Sequence, residues 1–244
     1  MNIGFKRIAA YLVDIVIISV VIFVFTNVKE INFQLNDYNK AYNSYSKLYE
    51  KQDNLKEKYE KAKDKYEDEK VTKKELNKVK KEYNDAKDKY EKKSKTYTYK
   101  LAKYSVFSTS ISIVITLLYF GVCQFLLKGQ TIGKKILKLR VVKNKEGNLC
   151  IFNYLLRCFI LNSIWANLIL VVGINLLNAG SYYTLNYYVS NVLYIMELVI
   201  LMTVFMNKDS RGLHDIIAGT KVISINEKLE EKEVEYIKPK KEDK

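Results

Sequence analysis

The chain has 244 residues, a formal net charge of +14, 28% charged residues, one proline, three cysteines and one histidine. So few cysteines exclude a small secreted disulfide scaffold, and a single histidine without a Cys/His cluster leaves no metal motif. The mean hydropathy of −0.16 is misleading, because the charges lie in blocks that leave residues 8–26, 105–127, 152–175 and 187–206 almost purely apolar.

Each of these stretches is long enough to span a hydrocarbon core of about 30 Å as a helix. In the first, Lys6 and Arg7 precede the apolar run and Asp14 lies inside it. No small-residue cleavage site follows Phe25, so the stretch is expected to be a retained span and not a signal peptide. A carboxylate there must pair, face a bundle interior or line a polar path, since exposure to lipid costs about 2.5–3.5 kcal/mol on insertion scales. Arg7, two helical turns away on the same face, is one candidate partner.

Residues 29–104 contain no Gly, Pro or Cys and are rich in Lys, Glu, Asp and Tyr, which favours helix. Tyr38, Tyr42, Tyr45 and Tyr49 step by four, three and four, and Tyr59, Ala62 and Tyr66 resume the step after a slip. Leu76, Val79, Tyr83, Ala86 and Tyr90, then Tyr97, Leu101 and Tyr104, form a second seam with heptad spacing. Thr72 and Glu75 make a capping box after a turn near residues 69–71. The expectation is an antiparallel coiled-coil hairpin inserted between the first two spans, with arms of roughly 50 Å. Its tyrosines either pack with their hydroxyls wet or form a surface for a partner, an envelope polymer or a second copy.

The second span leads to residues 128–151, with seven basic residues against Glu146 alone. Leu139–Lys143 reads as a strand, Glu146-Gly147-Asn148 as a turn, and Leu149–Phe152 as a returning strand that Thr220–Ile225 could join. The loop motif Gly129, Thr131, Gly133 and Lys134 lacks the spacing of a phosphate-binding loop. Gly133 suits a tight turn or a close helix approach, while Lys134, Lys135 and Lys138 suit anionic headgroups. Cys123, Cys150 and Cys158 read as packing residues.

Arg157 in the third span is expected near the cytoplasmic side, too shallow to reach Glu197 near the middle of the fourth. Trp165 is expected to pack within its span, and Tyr182, Tyr183, Tyr187 and Tyr188 to form an outer interfacial belt. His214 beside Asp215 reads first as an interfacial side chain at a helix end, with proton relay as the alternative. Residues 226–244, with seven acids and six lysines, read as a charged cytoplasmic tail.

Orientation follows from the short loops, because 128–151 is basic and 176–188 carries no charge. That makes the first cytoplasmic and the second external, and it puts both termini in the cytoplasm and 29–104 outside. The expected fold is an all-α membrane protein of four spans, with the outer coiled-coil hairpin and a small cytoplasmic β element. Its domains are 1–28 with 105–225, then 29–104, then 226–244.

Lys6-Arg7 with A-A-Y-L-V-D ending at Asp14, K-G-Q-T-I-G-K-K-I-L-K-L-R-V-V at 128–142 and S-R-G-L-H-D-I-I-A-G-T-K-V-I at 210–223 resemble the RDD family of bacterial membrane proteins. The resemblance covers 1–28 and 105–225 and maps the family's arginine and two aspartates onto Arg7, Asp14 and Asp215. It implies a plasma-membrane location and, by analogy with a few members, sodium/proton exchange or other transport. Arg7 is expected to pair with Asp14, Asp215 or both, and Asp14, Glu197 and His214 are the candidate ion or proton path.

Two functions fit these features. One is a cation, proton or small-solute transporter, expected to be a homo-oligomer because four helices enclose little volume. The other is a noncatalytic scaffold whose outer hairpin binds an envelope component or protein. No catalytic residue, metal or cofactor is assigned, since no nucleophile–base pair or cofactor motif is present, and the charge, divided between two faces of a bilayer, does not suggest nucleic acid.

Overall fold

In the computed structural model, residues 3–225 are described, so the expected tail at 226–244 lies outside the described residues. The protein is mostly helical with one two-stranded sheet. Helix α1 (Ile3–Asn27), α4 (Val106–Leu126) and α8 (Ala179–Met206) are each long and apolar enough to cross a membrane. The third apolar stretch, expected to be one span, is instead α6 (Ile151–Leu161) and α7 (Ile164–Leu176), bent by 68°. The break has a local cause: Ser163 adopts φ +54°, and the Asn162 side chain donates back to the Cys158 carbonyl at 3.2 Å. Both residue types compete with the helical ladder through such local hydrogen bonds.

The chain divides into two compact units. One comprises residues 26–109 and 169–189 and is dominated by α2 (Leu35–Glu67) and α3 (Lys73–Tyr104). These helices pack antiparallel, as the pairs Tyr45 with Tyr90, Tyr59 with Tyr83 and Lys58 with Glu82 require. The inward stripe on α2 is Tyr38, Ala41, Tyr45, Leu48, Gln52, Leu55, Tyr59 and Ala62, an unbroken three-four repeat. Tyr42, Tyr49 and Tyr66, expected on the seam, are exposed. Small Ala41 and Ala86 are the buried positions, because they let the backbones approach where a tyrosine could not. Thr72 and Glu75 form the expected capping box.

At its base this unit is tied by polar contacts. The buried Asn32 amide donates to the Thr26 carbonyl at 2.7 Å and to Ser108 Oγ at 3.2 Å, and Gln34 Oε1 accepts from Phe107 N at 3.0 Å. Tyr99 donates to the Leu177 carbonyl at 3.2 Å and meets Tyr182 edge-on at 5.8 Å. Tyr182 is thus buried, and only its neighbours Tyr183, Tyr187 and Tyr188 keep the exposure expected of a belt.

The other unit comprises the described parts of 1–25, 110–168 and 190–244. A short helix α5 (Ile132–Ile136) precedes β1 (Leu139–Lys143), and α9 (Leu213–Ala218) precedes β2 (Thr220–Ser224). The strands pair antiparallel with Val141 opposite Val222. Gly219, at φ +67°, reverses the chain between α9 and β2, a conformation that glycine adopts without a Cβ penalty. The strand expected at 149–152 does not form, because Ile151 starts α6. Its place beside β1 is taken by β2, while the Asn153 side-chain Oδ1 caps the helix start, accepting from Cys150 N at 3.0 Å. One apolar cluster joins Ala10, Leu139, Val141, Tyr154 and Val222, and a second joins Ile18, Ile113, Phe120, Cys158 and Ile164. Along α1 the buried Arg7 and Asp14 flank Ala10 of the first cluster, and Asp14 lies one turn before Ile18 of the second.

Candidate functional site

Helix α1 supplies the first two charges. Arg7 and Asp14 are seven residues apart, on one face, and both are buried. The expected bond between them does not form, because each finds partners on a different segment. Asp14, 0% exposed, accepts from Tyr119 Oη at 2.7 Å, Thr131 Oγ1 at 2.5 Å and Gly133 N at 2.7 Å, and Lys134 Nζ lies 3.8 Å away. A carboxylate so supplied has its charge balanced and most of its lone-pair sites filled.

The loop motif explains how these donors converge. Thr131 caps α5, accepting from Lys134 N at 3.4 Å while its hydroxyl donates to Asp14. A Cβ on Gly133 would run into the Ala10 carbonyl oxygen and lie 2.9 Å from Asp14 Oδ1. Glycine here lets α5 press its first turn against α1, which is the close approach the sequence suggested. Lys134, however, is buried at 6% exposure instead of meeting headgroups, whereas Lys135 and Lys138 are exposed. Burial pushes the Lys134 ammonium down to about 7, Arg157 and Arg7 adding to the effect and Asp14 opposing it.

Asp215, also 0% exposed, forms the second centre. It is ion-paired with Arg7 and accepts from Arg157 Nε at 2.8 Å, Thr220 Oγ1 at 3.0 Å and its own cap residue, Gly212 N, at 3.2 Å. Burial alone would raise its pKa, but Arg157, His214 and Arg7 together hold it well below the usual carboxylate range. Arg7 also donates to the Ser210 carbonyl, so the segment before α9 is strapped to α1. Arg157 is a second partner of Asp215, which its position in the sequence does not signal because the two residues are 58 positions apart, and it makes no ion pair with Glu197 although both line the same cavity.

His214 is not interfacial but buried, with Nε2 3.3 Å from Arg7 Nη2. Burial pushes its pKa down to about 3, helped by Arg157, Arg7 and Lys134 against Asp215, so the ring is neutral near pH 7. Nε2 also lies 3.4 Å from Asp215 Oδ2, but the hydrogen-bond geometry is with Arg7, which can only donate, so Nε2 accepts there and the proton is assigned to Nδ1. That Nδ1 has no hydrogen-bond partner among the described residues.

Arg7, Lys134, Arg157 and His214 line a cavity of about 360 Å³, walled by Ile8, Tyr11, Leu161, Ile200, Leu201 and Val204 and including Glu197. Glu197 and Leu201 on α8 are exposed, so they mark its rim, while the charged side chains form a buried floor. Of the residues expected on an ion path, Glu197 and His214 reach this cavity and Asp14 does not. Its volume falls at the lower end of the ~300–1,000 Å³ typical of small-ligand pockets.

Comparison with known families finds that the RDD family model matches residues 4–219. No curated protein and no solved structure matches the chain.

Proposed function

Because the chain belongs to the RDD family of membrane proteins, we propose that it is a multi-pass plasma-membrane transporter of a small solute and that the cavity beneath Glu197 is its substrate chamber. The observation that carries this reading is a cavity with apolar walls, a floor of three basic side chains and one carboxylate at the rim. Asp14 and Asp215 are each closed off by their own donors, yet the cations that serve them, Lys134, Arg7 and Arg157, still line an open space on their other side. Asp14 is fully engaged by protein donors, so the reading moves from bare cation carriage toward a solute with polar groups of its own.

In this reading the basic segment 128–151 faces the cytoplasm, as do both termini, and the paired helices α2 and α3 form a coiled-coil hairpin on the opposite side. A homo-oligomer gives the bundle the lipid-shielded volume that one chain lacks. The test is uptake into vesicles reconstituted with the full chain, using sodium, protons, potassium and small amphipathic solutes in turn. Leu201→Trp, which fills the chamber from its rim, should abolish uptake at unchanged protein abundance. Normal uptake by that variant would overturn the assignment of the chamber.

A second reading, a scaffold acting through α2 and α3, rests on the half-exposed rings of Tyr42 and Tyr49, at 51% and 48%. It predicts that replacing 30–103 with a short linker leaves the membrane bundle intact and abolishes the scaffold function.

A further inference from the structure

The polar groups facing the cavity are of two unlike kinds, and each kind lacks a partner. On the floor, the Arg157 guanidinium uses only Nε, on Asp215, and its two terminal nitrogens bond to no described residue. Beside it His214 Nδ1–H is unmet, and Lys134 Nζ is held by Thr131 Oγ1 at 3.2 Å and, more loosely, by Asp14. When Lys134 is protonated, the three cations of the floor outnumber the two carboxylates behind them. An additional anion at the floor would restore the balance and meet three sets of donors.

At the rim, Glu197 makes no ion pair with any described residue, although it belongs to a helix long and apolar enough to span a membrane. A carboxylate there needs a cation. No basic side chain of the floor comes within ion-pair distance of it, so the space between floor and rim separates opposite charges. Five aliphatic side chains, those of Ile8, Leu161, Ile200, Leu201 and Val204, fill the wall between the two ends.

We propose that the cavity binds a small zwitterion with an apolar body, its acidic group on Arg157, Lys134 and His214 and its ammonium on Glu197. An apolar amino acid is the simplest molecule of this class. A simple anion satisfies the floor but meets repulsion from Glu197, and a simple cation satisfies Glu197 but meets the basic floor. Only the combination pairs every group that now lacks a partner. This assignment rests on the reading of the cavity as a substrate chamber, but it concerns binding and can be tested without flux.

The test uses the full-length protein in lipid nanodiscs and three near-isosteric probes: leucine, 4-methylpentanoate, which lacks the amine, and 3-methylbutylamine, which lacks the carboxylate. Calorimetry should find leucine bound at least about tenfold more tightly than either, as one charge-assisted hydrogen bond implies. Glu197→Gln should remove that margin for leucine and leave 4-methylpentanoate unchanged or tighter. Leu201→Trp should abolish binding of leucine with its thermal melt intact. Equal binding of leucine and 4-methylpentanoate, insensitive to Glu197→Gln, would overturn the zwitterion and leave an anion site, and absence of leucine binding would overturn the proposal outright. Leucine binding without uptake would sink the transport reading alone, while uptake of another solute without leucine binding would sink only this one.

Discussion

Arg7 ion-pairs with Asp215, 208 positions along the chain, and not with Asp14 two turns away on its own helix. Among the described residues, Asp215 has two guanidinium partners, and each arginine has one carboxylate. Removing the carboxylate therefore strands two buried cations, whereas removing Arg7 leaves Asp215 still paired with Arg157. Asp215→Ala should cost about 3–5 kcal/mol and deplete folded protein from the membrane, with Arg7→Ala milder. Abundance and thermal melting of the two variants in detergent check the order. Adding Asp14→Asn to Arg7→Ala should not rescue it, because Asp14 is held by a separate set of donors.

Gly133 is the contact point of α5 on α1. Gly133→Ala places a methyl group against the Ala10 carbonyl and Asp14, with backbone on one side that cannot rotate away. A loss of about 1–3 kcal/mol is expected, typical of overpacking. An unchanged melting temperature would show that α5 docks differently.

Lys134 gives the fold a pH slope. Its ordinary value of 10.5 falls to about 7 on folding, so between these the unfolded chain binds more protons than the folded one. The penalty is full below about 7 and is relieved as pH rises toward 10.5, so stability from this group should increase across that window. Melting temperatures of Lys134→Met against the parent chain, from pH 6.5 to 9.5, should differ in slope. His214 adds a slope only at the low end of this range, where the unfolded imidazole, with its ordinary value of 6.5, still binds a proton that the buried ring does not, and that slope is common to both chains and cancels in the comparison.

Thr72 caps α3 through a reciprocal pair of bonds, Thr72 N to Glu75 Oε2 at 2.8 Å and Glu75 N to Thr72 Oγ1 at 3.3 Å. Thr72→Ala should cost about 1 kcal/mol locally. Hydrogen exchange at residues 73–76 should quicken, while exchange in β1 and β2 stays unchanged.

The charge asymmetry of the short loops predicts labelling. In a background without Cys123, Cys150 and Cys158, a cysteine at Lys58 or Lys81 should react with an impermeant thiol reagent on intact cells, and one at Lys138 should not. Labelling of Lys138→Cys alone would invert the orientation.

Sequence by itself determined the features that depend on neighbours along the chain. A bilayer-length apolar run, the cap formed by Thr72 and Glu75, and the β-branched run at 220–224 each depend on spacing of a few residues, and helix and strand periods translate that spacing directly into structure. The small Gly133 also signalled a close approach, though not against what. Tertiary structure decided everything that depended on which segments meet. Tyr42 and Ala41 are adjacent, and only the packing of α3 made the smaller one the buried position, since an amphipathic tyrosine suits either side. Ser163 bent a stretch that reads as one span because an apolar count is blind to a single backbone angle. Arg157 and Lys134 are buried only because Asp215 and Asp14 arrive from distant segments to neutralise them, so a charge that looks like surface in the sequence becomes interior once its partner has been delivered by the fold.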